Sequence, residues 1–97
     1  FYGSNGALNL PWCTGGNSYF CVRQPTERTP VQSSGGVSGQ CNGVLSVNWN
    51  AFQIAHPTAL GNPWLAGAKA NVQGWFRDPT ACKTTFLSQA LELTYQP

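Results

Sequence analysis

The sequence has no methionine, one histidine and few charged residues, which make up 8% of its 97 positions. Five Lys and Arg residues are scattered along the chain with three Asp and Glu residues, for a net charge of +2. A nucleic-acid-binding surface needs a basic stripe or patch to neutralise phosphates, and the sequence shows none. It also has no apolar run near the ~20 residues that span a bilayer and no basic amphipathic helix, so we expect neither nucleic-acid binding nor a membrane span.

Catalytic and metal-binding side chains are equally scarce. His56 stands at the end of a predicted helical segment, and no serine lies in a nucleophile-elbow context, so a helix-end role is favoured over a Ser–His–acid triad. Glu27, Asp78 and Glu92 are far apart in the chain, and Asp78 is better explained as a turn residue than as one of a catalytic pair. There is no CxxC unit or His cluster for zinc, and the acids are too few for calcium. We therefore expect no metal, no cofactor and no catalysis by this chain.

Four cysteines are the main positive feature: Cys13, Cys21, Cys41 and Cys82. An even number in a short chain predicts disulfides formed in an oxidising compartment, which compensate for a small core. We expect a secreted protein at the cell surface or in the extracellular space, with the periplasm as the alternative. Four cysteines allow three pairings, and the sequence does not choose among them.

Eleven glycines and seven prolines favour turns and short strands over long helices. The start of the chain, Phe1-Tyr2-Gly3, resembles the end of a strand, so we expect either a piece of a larger protein or a mature terminus left by signal cleavage. We predict an all-β fold, an antiparallel sandwich of jelly-roll or immunoglobulin-like type, complete or lacking strands, in which residues 1–97 form a single domain or the C-terminal part of a larger one. Strands are predicted over 7–10, 18–23, 27–32, 44–49, 69–77 and 90–95, a loop over 33–43, and a short helix over 50–56 with Asn50 as its N-cap.

Alternation assigns the side chains of these strands to faces. Leu45, Val47 and Trp49 share one face of their strand, and Leu91, Leu93 and Tyr95 are predicted to point inward. In the strand over 69–77, one face carries Ala70, Val72, Gly74 and Phe76, and the other, predicted to be solvated, carries Asn71, Gln73, Trp75 and Arg77.

The aromatic residues are the one feature that suggests binding. Exposed aromatic rings stack on sugars, with amide and guanidinium groups beside them for the hydroxyls. Trp75 fits this pattern because Gln73 and Arg77 share its face. Trp64 and Trp12 stand in predicted loops next to prolines, and we expect them to line the same surface. Burial in a core or an interface is the alternative and the favoured role of these residues, with Trp49 as a core residue.

The segment Val72-Gln73-Gly74-Trp75-Phe76-Arg77-Asp78-Pro79, followed by Leu87-Ser88-Gln89-Ala90-Leu91, resembles the C-terminal region of exported proteins of planctomycetes, myxobacteria and similar bacteria. The elements around Cys21-Val22-Arg23, Arg28-Thr29-Pro30, Gln40-Cys41-Asn42-Gly43 and Asn48-Trp49-Asn50-Ala51-Phe52 are similar to the same family. The resemblance implies an extracellular β domain at the end of a larger protein, preceded by further strands, and implies no activity.

The resemblance also bears on the disulfides, because family members carry cysteines at the positions of Cys21 and Cys41 and commonly lack the other two. It implies the pairs Cys21–Cys41 and Cys13–Cys82. The local alternative, Cys13–Cys21 with Cys41–Cys82, stays open on the residues alone.

From these observations we expect first a structural or accessory domain, or a subunit, in an extracellular or cell-surface assembly, whose partners are other strands or chains. A carbohydrate-binding module that uses Trp75, Gln73, Arg77, Trp64 and Trp12 comes second. A non-catalytic part of a secreted enzyme comes third.

Overall fold

The computed structural model describes residues 1–96. The chain forms six strands, one α-helix and one 3₁₀ turn. The strands are β1 (Tyr2–Gly3), β2 (Ala7–Pro11), β3 (Tyr19–Val22), β4 (Thr26–Glu27), β5 (Lys69–Arg77) and β6 (Thr85–Thr94), with α1 (Trp49–Ala55) between β4 and β5 and the 3₁₀ turn (Cys82–Thr84) before β6. The prediction of a mostly β chain with antiparallel strands and one short helix is confirmed. The finer sandwich class stays a prediction.

The strands form two antiparallel sheets. The larger has the order β4-β1-β5-β6, and the smaller is the β2–β3 hairpin. β5 and β6 form the longest pairing, from Lys69 opposite Thr94 to Arg77 opposite Thr85, with a bulge between Gln73 and Trp75. β5 has the bounds that alternation predicted, and it ends at the turn residue Asp78.

A small apolar core lies between one face of the larger sheet and the helix. Tyr2, Phe52 and Ala59 are its buried members, and Trp49, Leu60, Trp64 and Val72 pack against it. The ring of Tyr2 meets that of Trp49 edge to face, with centroids 4.8 Å apart, which is a favoured geometry for aromatic pairs. Burial raises the pKa of the Tyr2 phenol above its usual 10.0.

The other face of the larger sheet is covered by the β2–β3 hairpin. The buried hydroxyl of Ser18 accepts a hydrogen bond from the backbone N–H of Leu87, 2.8 Å away, and donates one to the carbonyl of the same residue. Since β6 is an edge strand, this side chain satisfies backbone groups there as a neighbouring strand would.

The prediction that one face of β5 is solvated is wrong for its middle. Asn71 and Gln73 are 4% and 2% exposed, because the hairpin covers their face while the helix covers the opposite one. The strand is exposed at its two ends, at Lys69 and at Trp75, Phe76 and Arg77. The middle of β5 is buried on both faces, and the Gln73 amide there hydrogen-bonds to the backbone of β3, whereas the buried Oδ1 of Asn71 has no hydrogen-bond partner among residues 1–96.

The predicted strand over 44–49 is absent, and residues 28–48 contain no helix or strand. Leu45 and Val47 are more than 40% exposed. Residues 44–47 run past residues 32–34 and make one backbone–backbone hydrogen bond, from the N–H of Val44 to the carbonyl of Ser34. Gln32 bonds both backbone groups of Ser46 with its side chain. Alternation makes a segment suitable for a strand, but a strand also needs a backbone partner, and here a glutamine side chain takes that place. Of the predicted strand over 27–32, only Glu27 lies in a strand, β4, because the other residues also lack a backbone partner.

The helix begins earlier than predicted. Asn48, not Asn50, is the N-cap, and its side-chain oxygen accepts from the N–H of Ala51, 3.0 Å away. Trp49 is therefore the first helical residue, and it joins the core from the helix.

β6 is longer than the predicted strand over 90–95, and its apolar side chains do not all point inward. Leu91 is 66% exposed and Leu93 is also exposed. Tyr95, just after the strand, is half-buried with its ring stacked on that of Trp64. The inward assignment was wrong because α1 and its loop cover the sheet near β1 and β5 and leave β6 open.

One of the two predicted disulfides is present. Cys13 and Cys82 are bonded, with Cα atoms 6.5 Å apart. Cys21 and Cys41 are free thiols, the first half-buried and the second exposed. The expected Cys21–Cys41 bridge is a wrong prediction for this structure, since Cys21 lies in the paired strand β3 and Cys41 in an exposed turn of the 28–48 segment.

Candidate ligand-binding groove

A groove of about 620 Å³ lies between the β2–β3 hairpin and the end of β5. Its volume is within the ~300–1,000 Å³ usual for small-molecule sites. We call it the aromatic groove, because four aromatic side chains and three cationic ones line it: Phe1, Trp12, Phe20, Trp75, Arg23, Arg28 and Lys83.

Trp75 lies on β5 just beyond the bulge. The adjacent Gly74 donates its backbone N–H to the Ser88 hydroxyl, 2.8 Å away, so the bulge is held by a side chain of the opposite strand. Trp75 is 40% exposed, and the guanidinium carbon of Arg28 lies 4.5 Å from its ring centroid. A cation held at this distance over an indole is attracted by the ring's negative face.

Trp12 faces the groove from the hairpin side. Its indole N–H donates to the Thr85 hydroxyl at the start of β6, 3.0 Å away. The ring lies beside that of Phe20, with centroids 6.4 Å apart, and the ammonium of Lys83 stands 4.2 Å from its centroid. Both tryptophans of the groove therefore carry a cation on one face.

The Cys13–Cys82 disulfide holds this end of the groove together. Cys13 follows Trp12 in the chain, and Cys82 precedes Lys83. The bridge thus brings Trp12 and Lys83, which adjoin the two cysteines in the chain, close enough for their cation–π contact. Lys83 itself has a φ of 59°, a left-handed conformation that is uncommon for a side chain other than glycine.

No acidic residue lines the aromatic groove. Glu27 accepts hydrogen bonds from the backbone N–H of Leu60 and from the Tyr2 hydroxyl, on the helix side of the sheet. Asp78 accepts from Thr80 in the turn after β5. Glu92 pairs with Lys69, whose hydrogen bond and charge lower the pKa of that carboxyl.

The structure brings together two of the five residues predicted to bind sugar. Trp12 and Trp75, 63 positions apart in the sequence, both line the aromatic groove. Trp64 lies on the helix side, packed on Tyr2, Trp49 and Tyr95.

The two remaining predicted residues do not line the groove. Gln73 is buried beneath it with its amide bonded to backbone atoms of β3 and β6. Arg77 is exposed at the end of β5 and is not among the lining residues. Gln73 is therefore removed from the predicted set, because an amide with all of these partners inside the protein has little left to offer a ligand.

Sequence reasoning missed Phe1, Phe20, Arg23, Arg28 and Lys83. Phe20 and Arg23 lie in the predicted strand over 18–23, but nothing in one sequence shows that the β2–β3 hairpin covers the larger sheet. The position of Lys83 next to Cys82 was a signal in the sequence. It places Lys83 near Trp12 only once Cys82 is known to pair with Cys13.

His56 and the carboxylates do not form a catalytic constellation. His56 ends the helix, with Nδ1 2.8 Å from the carbonyl of Phe52 and its ring stacked on that residue. Across residues 1–96, no three His, Cys, Asp or Glu side chains lie close enough to hold a metal ion. In the same part of the chain, no helix has the length and apolar character needed to cross a membrane.

Comparisons of the chain with protein-family models, with curated proteins and with solved structures found no match.

Proposed function

We propose that this chain is a non-catalytic carbohydrate-binding domain of an exported protein. The observation that carries the proposal is the meeting of Trp12 and Trp75 in one groove of suitable size. The C–H face of a sugar ring packs on an indole, and a groove with a few polar groups beside such rings orients the ring's hydroxyls.

The polar groups needed for hydroxyls are also in the groove. Gln24 and Thr26 line it beside Arg28, and none of these three is buried. Trp75 is the most accessible platform because it extends past the covered part of β5. A saccharide is proposed to stack there and to extend toward Trp12.

The proposal includes export. The Cys13–Cys82 disulfide is typical of oxidising compartments, where such bridges form and persist. An extracellular or cell-surface location would give the groove access to glycans.

A glycan array tests the binding proposal with three proteins: the wild type, Trp75→Ala and Phe76→Ala. Phe76 is the matched control, since it neighbours Trp75 with an equal exposure, 41% against 40%, but points to the other face of β5. We expect Trp75→Ala to lose about tenfold or more in affinity, because truncating a tryptophan anchor of a binding site typically costs ~2 kcal/mol or more, and Phe76→Ala to bind as wild type. Absence of any glycan signal with the wild type contradicts the proposal.

A structural role in an extracellular assembly is the second candidate, and it rests on β6. Among residues 1–96, no strand pairs with the outer edge of this ten-residue strand. The Ser18 hydroxyl bonds the strand at Leu87, while Leu91, farther along it, is 66% exposed. Long free edges accept further strands. We propose that strands of another chain, or of the rest of the same polypeptide, pair there and complete a sandwich.

The measurement for this second role is the molar mass in solution of the wild type, Leu91→Lys and Ile54→Lys. Ile54 is the control because it is equally apolar and exposed, but lies on α1. We expect self-association that Leu91→Lys weakens and Ile54→Lys does not. A wild type that stays monomeric at all concentrations and unfolds cooperatively contradicts this role.

A further inference from the structure

We propose that the ligand of the aromatic groove is an acidic saccharide, whose uronate or sulfate groups meet the cations that stand over the indole rings. The inference rests on the proposed sugar-binding function and names its ligand class.

Most of the cationic side chains of the molecule lie at the aromatic groove. Three of the five cationic side chains of the chain line it, Arg23, Arg28 and Lys83, and none of the three acids does. The single salt bridge among residues 1–96 joins Lys69 and Glu92, at the other end of β5. The groove therefore has three positive charges without a neutralising carboxylate, in a chain whose net charge is only +2.

The nearest acid in the sequence does not compensate these charges. Glu27 precedes Arg28, but alternation directs the two side chains to opposite faces. The Glu27 carboxylate is held by Leu60 and Tyr2 on the helix side, while Arg28 lies over Trp75. The cations of the groove are thus free to bind an anion from outside.

Two of the cations are held in position by the rings. Arg28 and Lys83 each lie within 5 Å of an indole centroid, and the third, Arg23, donates from Nη2 to the carbonyl of Ala7, 3.2 Å away. A guanidinium stacked on a ring keeps its edge N–H groups available for a carboxylate or sulfate, to which it binds in bidentate geometry. A sugar that bears such a group can stack on the open part of the ring while its anion meets the cation.

The test measures the affinity of the intact protein for four soluble polymers: polygalacturonate, dextran sulfate, the neutral polymer dextran and poly-glutamate. We expect the two acidic polysaccharides to bind more tightly than dextran, and their binding to weaken as salt is raised, because exposed charges are screened. Arg28→Gln and Lys83→Gln should each weaken this binding by about two- to fivefold, the range for exposed ion pairs.

Lys69→Gln is the charge-matched control, since it removes one cation at about 20 Å from Trp75, six residues along the strand. It should leave binding to the acidic polysaccharides unchanged. Lys83→Arg keeps the charge over Trp12 and should retain most of the affinity, which separates loss of charge from loss of folding. Arg28→Lys keeps the charge but loses the bidentate geometry, so its affinity should fall between those of the wild type and Arg28→Gln.

The outcomes distinguish this inference from the proposed function. Equal binding of dextran and the acidic polymers, with Trp75→Ala still weakening both, overturns the acidic ligand and leaves sugar binding standing. Tight binding of poly-glutamate that does not depend on Trp75 indicates a general anion site and overturns both. No binding of any polysaccharide also overturns both.

Discussion

The side-chain oxygen of Gln73 accepts a hydrogen bond from the backbone N–H of Cys21, 3.0 Å away. The amide nitrogen of the same side chain donates to the carbonyls of Tyr19 and Ser88, at 2.7 and 2.6 Å. One buried side chain on β5 thus joins the hairpin to the larger sheet and braces β6. The shape of the aromatic groove depends on this side chain, because the groove lies between the hairpin and the sheet that Gln73 joins.

We expect Gln73→Leu to lower the free energy of unfolding by about 3 kcal/mol, because it leaves backbone groups of β3 without partners, at roughly 1–3 kcal/mol for each buried group. Gln32→Leu is the matched control. Gln32 also bonds two backbone groups, both of Ser46, but on an exposed segment, so its loss should cost less than about 1 kcal/mol. Urea unfolding of the two variants and the wild type measures this, and equal losses would show that Gln73 does not connect the sheets.

The backbone of Gly61 lies against the ring of Trp64, with a φ of +90°. A Cβ added to Gly61 would clash with carbon atoms of that ring. We expect Gly61→Ala to destabilise the protein by about 2–4 kcal/mol, from the left-handed backbone and from overpacking. Gly67→Ala is the control, because Gly67 has a similar φ of +83° and open space around it, so only the backbone cost of about 1 kcal/mol applies. Thermal unfolding compares them, and the packing argument fails if the two variants lose the same stability.

The number of free thiols checks the disulfide assignment. We expect two thiols per molecule to react with a thiol reagent in denaturant without reductant, and four after reduction, since one bridge joins Cys13 and Cys82. In the native protein Cys41 should react quickly and Cys21 slowly, because the first is exposed and the second half-buried. Mass spectrometry counts the labels. A count of zero before reduction would indicate a second bridge, between Cys21 and Cys41.

Tyr2 should make stability fall at alkaline pH. Its pKa is raised in the folded protein, mainly by burial, so the folded state holds the phenolic proton longer than the unfolded chain does. The stability that this proton contributes is complete below the unfolded pKa of about 10 and declines as the pH rises from there through the folded pKa.

Tyr2→Phe removes this titration together with the hydrogen bond to the carbonyl of Leu60. We expect the variant to be about 1 kcal/mol less stable at neutral pH and to approach or pass the wild type near pH ~11. Tyr19→Phe, at an exposed position of β3, controls for the loss of a hydroxyl. Urea unfolding at both pH values measures the difference, and a gap for Tyr2→Phe that does not change with pH would contradict the assignment.

Local signals predicted the elements that depend on few partners. The bounds of β5 follow from the alternation of its nine residues up to the turn at Asp78, and a run of strand formers predicted β3 to within a residue at each end. The strand over 44–49 failed although its alternation was the clearest, because its outcome depended on whether another strand lay beside it. A periodic pattern describes side chains, whereas a strand forms through backbone hydrogen bonds to a partner.

The groove was predicted only in part, because it also depends on contacts between segments far apart in the chain. Trp75 could be singled out because alternation places it beside Gln73 and Arg77, and Trp12 because it stands in a predicted loop next to a proline. Their meeting depends on the Cys13–Cys82 bridge and on the hairpin's position. Gln73 was assigned to solvent because alternation gives the face on which a side chain lies and does not tell whether a second layer covers that face. The oxygen and nitrogen of its amide hydrogen-bond to backbone atoms of β3 and β6.

The sequence by itself determined that this is a β-rich chain with four cysteines, few charged residues and a single histidine. These conclusions depend on composition and on local backbone preference, which each segment carries with it. The tertiary structure alone decided which cysteines pair, which polar side chains are buried and which cations share a groove with which rings. Those outcomes depend on contacts between residues far apart in the chain, and only the packing of the hairpin, the larger sheet and the helix determines them.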